Sequence, residues 1–193
     1  MVVIKPSQRK PSRRCVFFDR DGVINRSPGT GYVLSNADFF LFEGIGSLLN
    51  WLHLRGWLSI VVTSQRCVGK NLIDLSMLAS IHGSMQQDLK DRYGSRFDAI
   101  YAFTDLPGTE AWSKPNPEMI IQACRDHLID PFQSIMIGDQ DRDIEMAHSA
   151  NIGCTIRILD PEEGRPDLIK ADESVVSIDD MIDRLKSIIQ QMT

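Results

Sequence analysis

Short apolar runs alternate with stripes of helical period along most of this chain, and that alternation leaves few folds open. Cys15–Phe18, Ser59–Val62 and Ile135–Ile137 are continuous runs of strand length, and Phe97–Phe103 and Cys154–Leu159 also read as strands. Between the first two, Ile45, Leu48, Leu49 and Leu52 repeat with the spacing of one buried helix face; Leu75, Leu78, Ile81, Met85 and Leu89 do the same after the second. Strands buried on both faces read as unbroken apolar runs, and their alternation with helices builds a parallel sheet covered on both sides. The expected fold is therefore α/β, a three-layer sandwich with a mainly parallel sheet and helices on both faces.

Local signals set the expected helix boundaries. The first helix spans Glu43–Arg55, stopped by Gly56, and the second lies within Leu72–Arg92, ahead of Gly94. Asn116 caps a third with Pro117 at its first position, burying Ile120, Ile121, Cys124 and Leu128. A fourth is capped by Asp141 and ends by Gly153. Ser177 opens the last, with Asp180 three residues on, and Met181, Ile182, Leu185, Ile188 and Ile189 form its apolar face.

The 193 residues suit one domain, expected over 14–193 behind a flexible basic tail at 1–13 that carries Lys5, Arg9, Lys10 and Arg13. A net charge of −5 gives no general attraction to nucleic acid or membranes. No apolar run approaches the roughly 20 residues of a membrane span, and Met1–Arg14 has no apolar signal core, so a cytoplasmic protein is expected. Cys15, Cys67, Cys124 and Cys154 show no Cys-x-x-Cys spacing and read as reduced thiols. No heptad seam points to a partner, so a monomer or weak homo-oligomer is expected.

The strand ends carry the chemistry. Asp19 and Asp21 follow the first run, Thr63-Ser64-Gln65 the second, and Gly138-Asp139-Gln140-Asp141-Arg142-Asp143 the run at Ile135; Lys114 stands just before a helix start. In open α/β sheets ligands bind beyond the carboxyl ends of the strands. Residues two apart in extended chain share a face, so Asp19 and Asp21 crowd one space. Paired carboxylates repel unless a cation or a proton-transfer role accommodates them.

This order of Asp-x-Asp-Gly, strand-end hydroxyl, Lys-Pro and Gly-Asp-x-x-x-Asp resembles the haloacid dehalogenase superfamily of phosphatases. The resemblance implies that Asp19 is the nucleophile, forming an aspartyl-phosphate, and that Asp21 is general acid and then base. It implies that Thr63 and Lys114 hold the phosphoryl group, and that magnesium is bound by Asp19, Asp139 and the backbone carbonyl of Asp21. Asp143 then either contacts the metal site through water or orients Lys114. Asn25–Phe42 is too short for a separate cap domain, and Gly69–Arg96 is mostly one helical stripe, so a capless core is expected.

Over Asp19–Leu159 the chain is similar to the histidinol-phosphate phosphatase and D-glycero-D-manno-heptose 1,7-bisphosphate phosphatase group: Asp-x-Asp-Gly-Val-Ile-Asn, Gly31-Tyr32-Val33, Val61-Val62-Thr63-x-Gln65 and Lys114-Pro115-x-Pro117 match. Asn25, Tyr32, Ser64 and Gln65 are then expected at the substrate mouth. The group carries a zinc loop of cysteines and a histidine before Lys-Pro; Thr104–Ser113 has neither, so no zinc is expected. The group's Arg-Lys-Pro is here Ser113-Lys114-Pro115, and Arg66 adds a cation after Gln65. Arg66 is expected either to point to solvent, the favoured outcome, or to reach the mouth from the side of the hydroxyl motif and hold a distal anion. The expected function is magnesium-dependent hydrolysis of a small phosphorylated metabolite, such as a sugar phosphate. The alternatives are a polynucleotide-end phosphatase, supported only by the basic tail, and a non-catalytic phosphometabolite-binding protein on the same fold.

Overall fold

The computed structural model describes residues 13–159 and 168–192. The expected tail at 1–12, with Lys5, Arg9 and Lys10, lies outside the described residues. Arg13 already belongs to the fold: its N–H donates to the Leu128 carbonyl at 3.1 Å.

Six parallel strands form one sheet in the order β3-β2-β1-β4-β5-β6. They are β1 (Cys15–Phe18), β2 (Leu58–Ser64), β3 (Ala99–Phe103), β4 (Ile135–Gly138), β5 (Cys154–Ile158) and β6 (Glu173–Val175). The short edge strand β6 was not anticipated. Its residues are half-buried or exposed, so it lacks the apolar run that marks a central strand. The order runs outward in opposite directions from β1 and β4, which makes the tips of these two strands the switch point where open α/β sheets bind ligands.

Successive side chains of β1 feed two separate cores. Val16 and Phe18 pack with α1 (Ile45–His53), α2 (Leu75–Tyr93) and α5 (Ile178–Gln191), through Leu48, Leu49, Met85, Leu89 and Leu185. Cys15 and Phe17 pack on the other face with α3 (Glu118–His127) and α4 (Asp141–Ser149), through Met119, Ile120, Met146 and Ala147. This is the expected three-layer sandwich. Each fully buried Leu or Ile in it contributes about 1.5–3 kcal/mol of burial. Among the described residues no separate cap domain is present; the β1–α1 connection holds only a single 3₁₀ turn, Asn36–Asp38.

Several helix ends differ from expectation. Asn116 does accept the Glu118 N–H at 3.0 Å, but the cap position is Pro117, one residue later. Leu128 is not in the α3 core: it ends the helix at φ 55° and is 37% exposed. Leu75 opens α2 and stays exposed, because Asp74 caps the helix there by accepting the Met77 N–H. Asp141 is not the cap of α4. Gln140 and Asp143 form a capping box, while Asp141 pairs with Arg157 and accepts the Ile169 N–H. Ser177 caps α5 as expected, accepting the Asp180 N–H at 3.0 Å.

Candidate active site

The tips of β1, β2 and β4 bring Asp19, Thr63 and Asp139 to one end of the sheet. The Asp19 N–H donates to the Ile137 carbonyl at 2.9 Å, which ties the end of β1 to β4. Gly22, with φ 87°, turns the chain back so closely that a Cβ there would meet Asp139 Oδ2 at 2.7 Å. Only glycine permits both that conformation and that approach.

Lys114 reaches this end from the segment before α3. Its Nζ donates to Asp19 Oδ1 at 2.6 Å and to Asp143 Oδ1 at 2.7 Å, and all three side chains are almost wholly buried. Burial works against the ammonium charge, but Asp143 and Asp19 together outweigh it and hold Lys114 above its ordinary range. Burial pushes the Asp19 carboxyl up to about 6, with Lys114 opposing and Asp143 adding to the rise. Asp139 is pushed well above the carboxylate range by burial and then by Asp143 and Asp19. Asp143 has both oxygens engaged, Oδ1 by Lys114 and Oδ2 by the Gln140 N–H at 3.1 Å. Asp139 Oδ1, in contrast, is buried with no hydrogen-bond partner.

Asp21 is held by five hydrogen bonds: three from the Arg20 guanidinium at 3.0–3.1 Å, one from Asn25 Nδ2 at 2.9 Å and one from Gln65 Nε2 at 3.0 Å. Gln65 Nε2 also donates to Thr63 Oγ1 at 2.9 Å. Asn25 and Gln65 were expected at the substrate mouth; both are fully buried behind Asp21, because its carboxylate consumes their donors. Arg20 was overlooked. It is fully buried and also contacts His82 Nε2 at 3.2 Å, and burial, then Arg20, pushes His82 down to about 4, so the ring accepts from the guanidinium. The available signal was an arginine set between the two carboxylates that follow an apolar strand, since a buried guanidinium must be paired.

A cleft of about 80 Å³ opens over Asp19, Asp21 and Thr63, with Tyr32, Ser64 and Arg142 also lining it. A larger cavity of about 580 Å³ beside His53 and Lys90 lies away from the carboxylates, whereas one of about 380 Å³, lined by Gly22, Arg26 and Asp139, shares Ser27 with the cleft. Arg66 does not point to solvent as favoured from the sequence. It is half-buried, lies over the Phe103 ring and donates to Ser113 Oγ at 3.0 Å.

A model of the haloacid dehalogenase-like hydrolases matches residues 32–156 of the chain. The chain belongs to this family. The D-glycero-D-manno-heptose-1,7-bisphosphate 7-phosphatase of Thermosynechococcus vestitus is 31% identical over 153 residues, 74% of this chain and 76% of that protein. The D-glycero-alpha-D-manno-heptose-1,7-bisphosphate 7-phosphatase of Burkholderia mallei is 32% identical, covering 79% of this chain and 83% of its own. Among solved structures, the D,D-heptose 1,7-bisphosphate phosphatase of B. bronchiseptica, complexed with magnesium and phosphate, superposes with a TM-score of 0.77 at 22% identity, over 90% of this chain and 98% of that one.

As a haloacid dehalogenase-like hydrolase, the chain offers a cation site. Oxygens of Asp19, Asp139 and Asp143 lie within 4.8 Å of one another, balanced by the single charge of Lys114. The buried Asp139 oxygen without a hydrogen-bond partner fits a cation there, and hard oxygen donors suit magnesium. Around the cleft, the loops pack on each other. Tyr32, Leu34, Cys67, Val68 and Leu106 share a small apolar cluster. The Gly69 N–H donates to the Thr104 carbonyl at 2.9 Å, and a Cβ on Gly69 would meet the Asp105 carbonyl oxygen at 2.4 Å. The 104–113 segment, free of cysteine and histidine, is thereby anchored by packing. The four cysteines are free thiols, and no helix among the described residues is long and apolar enough to cross a membrane.

Proposed function

We propose that this haloacid dehalogenase-like hydrolase is a magnesium-dependent phosphatase of a small phosphorylated sugar, working through an aspartyl-phosphate on Asp19. The observation that carries the reading is the buried Asp19–Lys114–Asp143 ion cluster beside the unpartnered Asp139. The sugar-phosphate class is supported by the printed activity of the heptose-bisphosphate relatives.

Lys114 engages only the Oδ1 of Asp19, which leaves Oδ2 to attack phosphorus in line with the departing alkoxide. The Arg20, Asn25 and Gln65 donors position the Asp21 carboxyl two residues away; in this reading it exchanges one of these hydrogen bonds for a proton from solvent, delivers that proton to the leaving oxygen and later takes one from the attacking water. Lys114 and the Thr63 hydroxyl neutralise and orient the phosphoryl oxygens. Asp19, Asp139 and the Asp21 carbonyl would hold the magnesium ion in this reading. When bound, the ion neutralises phosphoryl charge, so that a dianion can approach a carboxylate. Asp143, with both oxygens spent, orients Lys114 and is not assigned to the metal.

The test is phosphate release from a panel of sugar mono- and bisphosphates, histidinol phosphate and 5′- and 3′-phosphorylated oligonucleotides, with magnesium and with chelator. Magnesium-dependent release from the sugar phosphates is expected. Turnover confined to oligonucleotides would replace the substrate class, and no turnover of any ester would support the binding-protein alternative.

A further inference from the structure

Arg20 is the largest fully buried side chain among the described residues. A guanidinium cannot shed its charge, so its donors must find acceptors inside the protein. Nε and Nη2 donate to Asp21 at 3.0–3.1 Å. Nη1, on the other edge, has one partner among the described residues, His82 Nε2 at 3.2 Å. Because arginine only donates, Nε2 presents its lone pair and the ring proton sits on Nδ1. Burial and then the Arg20 charge push the imidazole down to about 4, so the ring is uncharged at neutral pH.

Two elements therefore grip one guanidinium. Asp21 holds it from the turn after β1, and His82 from the middle of α2, which Met85 and Leu89 fix in the core. Asn25 and Gln65 each add one bond to Asp21, but the other three come from Arg20, so the carboxyl is placed largely by where the guanidinium stands. His82 fixes that place from outside the pair. Neither Arg20 nor His82 lines the cleft over Asp19, so both bear on the reaction through Asp21. The neutrality of the ring matters as well. A carboxylate in its place would compete with Asp21 for the guanidinium charge; an uncharged acceptor satisfies Nη1 and leaves that charge to Asp21.

We propose that His82 is a positioning residue for the hydrolysis: as a neutral acceptor it pins Arg20, and Arg20 in turn holds the Asp21 carboxyl where the leaving oxygen departs. The inference rests on the phosphatase reading above. His82 keeps its own proton throughout and touches neither substrate nor metal.

The experiment measures phosphate release, with magnesium, from a sugar phosphate and from an aryl phosphate, in the wild type and in His82→Leu, His82→Gln and His82→Glu. A sugar alkoxide needs the proton of Asp21 to depart, whereas an electron-poor phenolate departs without one, so the sugar ester alone reads the placement of the acid. His82→Leu is expected to lower kcat on the sugar phosphate about tenfold or more, the worth of a hydrogen bond to a charged group, with KM within about twofold. Its kcat/KM on the aryl phosphate should change much less, because that ratio covers the steps up to departure of the leaving group. His82→Gln, which restores a neutral acceptor, should recover most of the kcat lost in His82→Leu; His82→Glu, of the same size but charged, should not. An unchanged kcat in folded His82→Leu, or an equal loss of kcat/KM on both esters, would overturn the proposal. Should the leucine protein fail to fold, equal rates on the sugar phosphate in His82→Gln and His82→Glu would overturn it. A wild type that hydrolyses no phosphate ester would instead overturn the phosphatase reading itself, so the two failures are distinct.

Discussion

Replacing Asp19 by Asn probes both the nucleophile and the electrostatics of its cluster. In the metal-free protein, burial and then Asp143 push the Asp19 carboxyl from 3.8 to about 6, against the pull of Lys114. A folded-state value above the unfolded one means that the folded protein binds the proton more tightly. The carboxyl then costs nothing below pH 3.8, costs more as the pH rises towards about 6, and carries its full cost above that. At about 1.4 kcal/mol per pH unit the full cost is about 3 kcal/mol. Asparagine keeps the shape and removes the charge. In chelator at about pH 7.5 the Asp19→Asn protein should therefore melt above the parent, by roughly 6–12 °C at about 2–4 °C per kcal/mol for a chain of this size. Near pH 4 the two melting curves should converge. Turnover should fall roughly a thousandfold or more, because an amide is no nucleophile. Thermal unfolding by circular dichroism across this pH range, with phosphate release assayed in parallel, reads both effects. A variant that melts at or below the parent at about pH 7.5 would refute the electrostatic reasoning, and retained turnover would remove Asp19 as the nucleophile.

Three further outcomes are expected. Asp139→Ala should abolish the stabilisation that magnesium gives the parent, about 2.7 kcal/mol at a hundredfold excess over Kd, and a melting-point rise with magnesium equal to the parent's would take Asp139 out of the metal site. Arg20→Met removes three of the five hydrogen bonds to Asp21; discounted for the 22% exposure of the Asp21 side chain, it should cost about 3 kcal/mol or less of stability and lower kcat, so unchanged kcat in denaturant-stable protein would count against the positioning role. Arg66→Ala should lower kcat/KM equally for bisphosphates and monophosphates, because Arg66 holds Ser113 beside Lys114; a loss confined to bisphosphates would place its guanidinium on the substrate instead.

The parts of the site legible in the sequence are those set by local pattern. Asp19, Thr63 and Asp139 each follow an apolar run, and a run of that kind ends in the turn where a parallel sheet presents its ligands. The Ser177 cap and the αL stop of α2 at Gly94 were equally local. Misreadings cluster where a side chain has two local options and a distant group chooses between them. Asp141 has the type and position of a cap, but Arg157, sixteen residues on, takes it. Asn25 and Gln65 look like rim amides, yet the Asp21 carboxylate draws both inward. Arg66, alone in the sequence, reads as a hydrated cation; the Phe103 ring and Ser113 hold it against the protein.

By itself the sequence determined the alternation of strands and helices, the two-sided burial of the sheet and the inventory of carboxylates, hydroxyl and lysine at its strand ends. These follow from hydrophobic period and from the polarity change where a buried strand meets solvent, both properties of neighbours along the chain. Only the tertiary structure decided the strand order that sets β1 beside β4, the pairing of Lys114 with Asp19 across 95 residues, and the burial of Arg20 against Asp21 and His82. Those are choices among many chemically equivalent partners. They are made by which faces pack together and which buried charges find a counter-charge, and no local stretch of sequence encodes that contest.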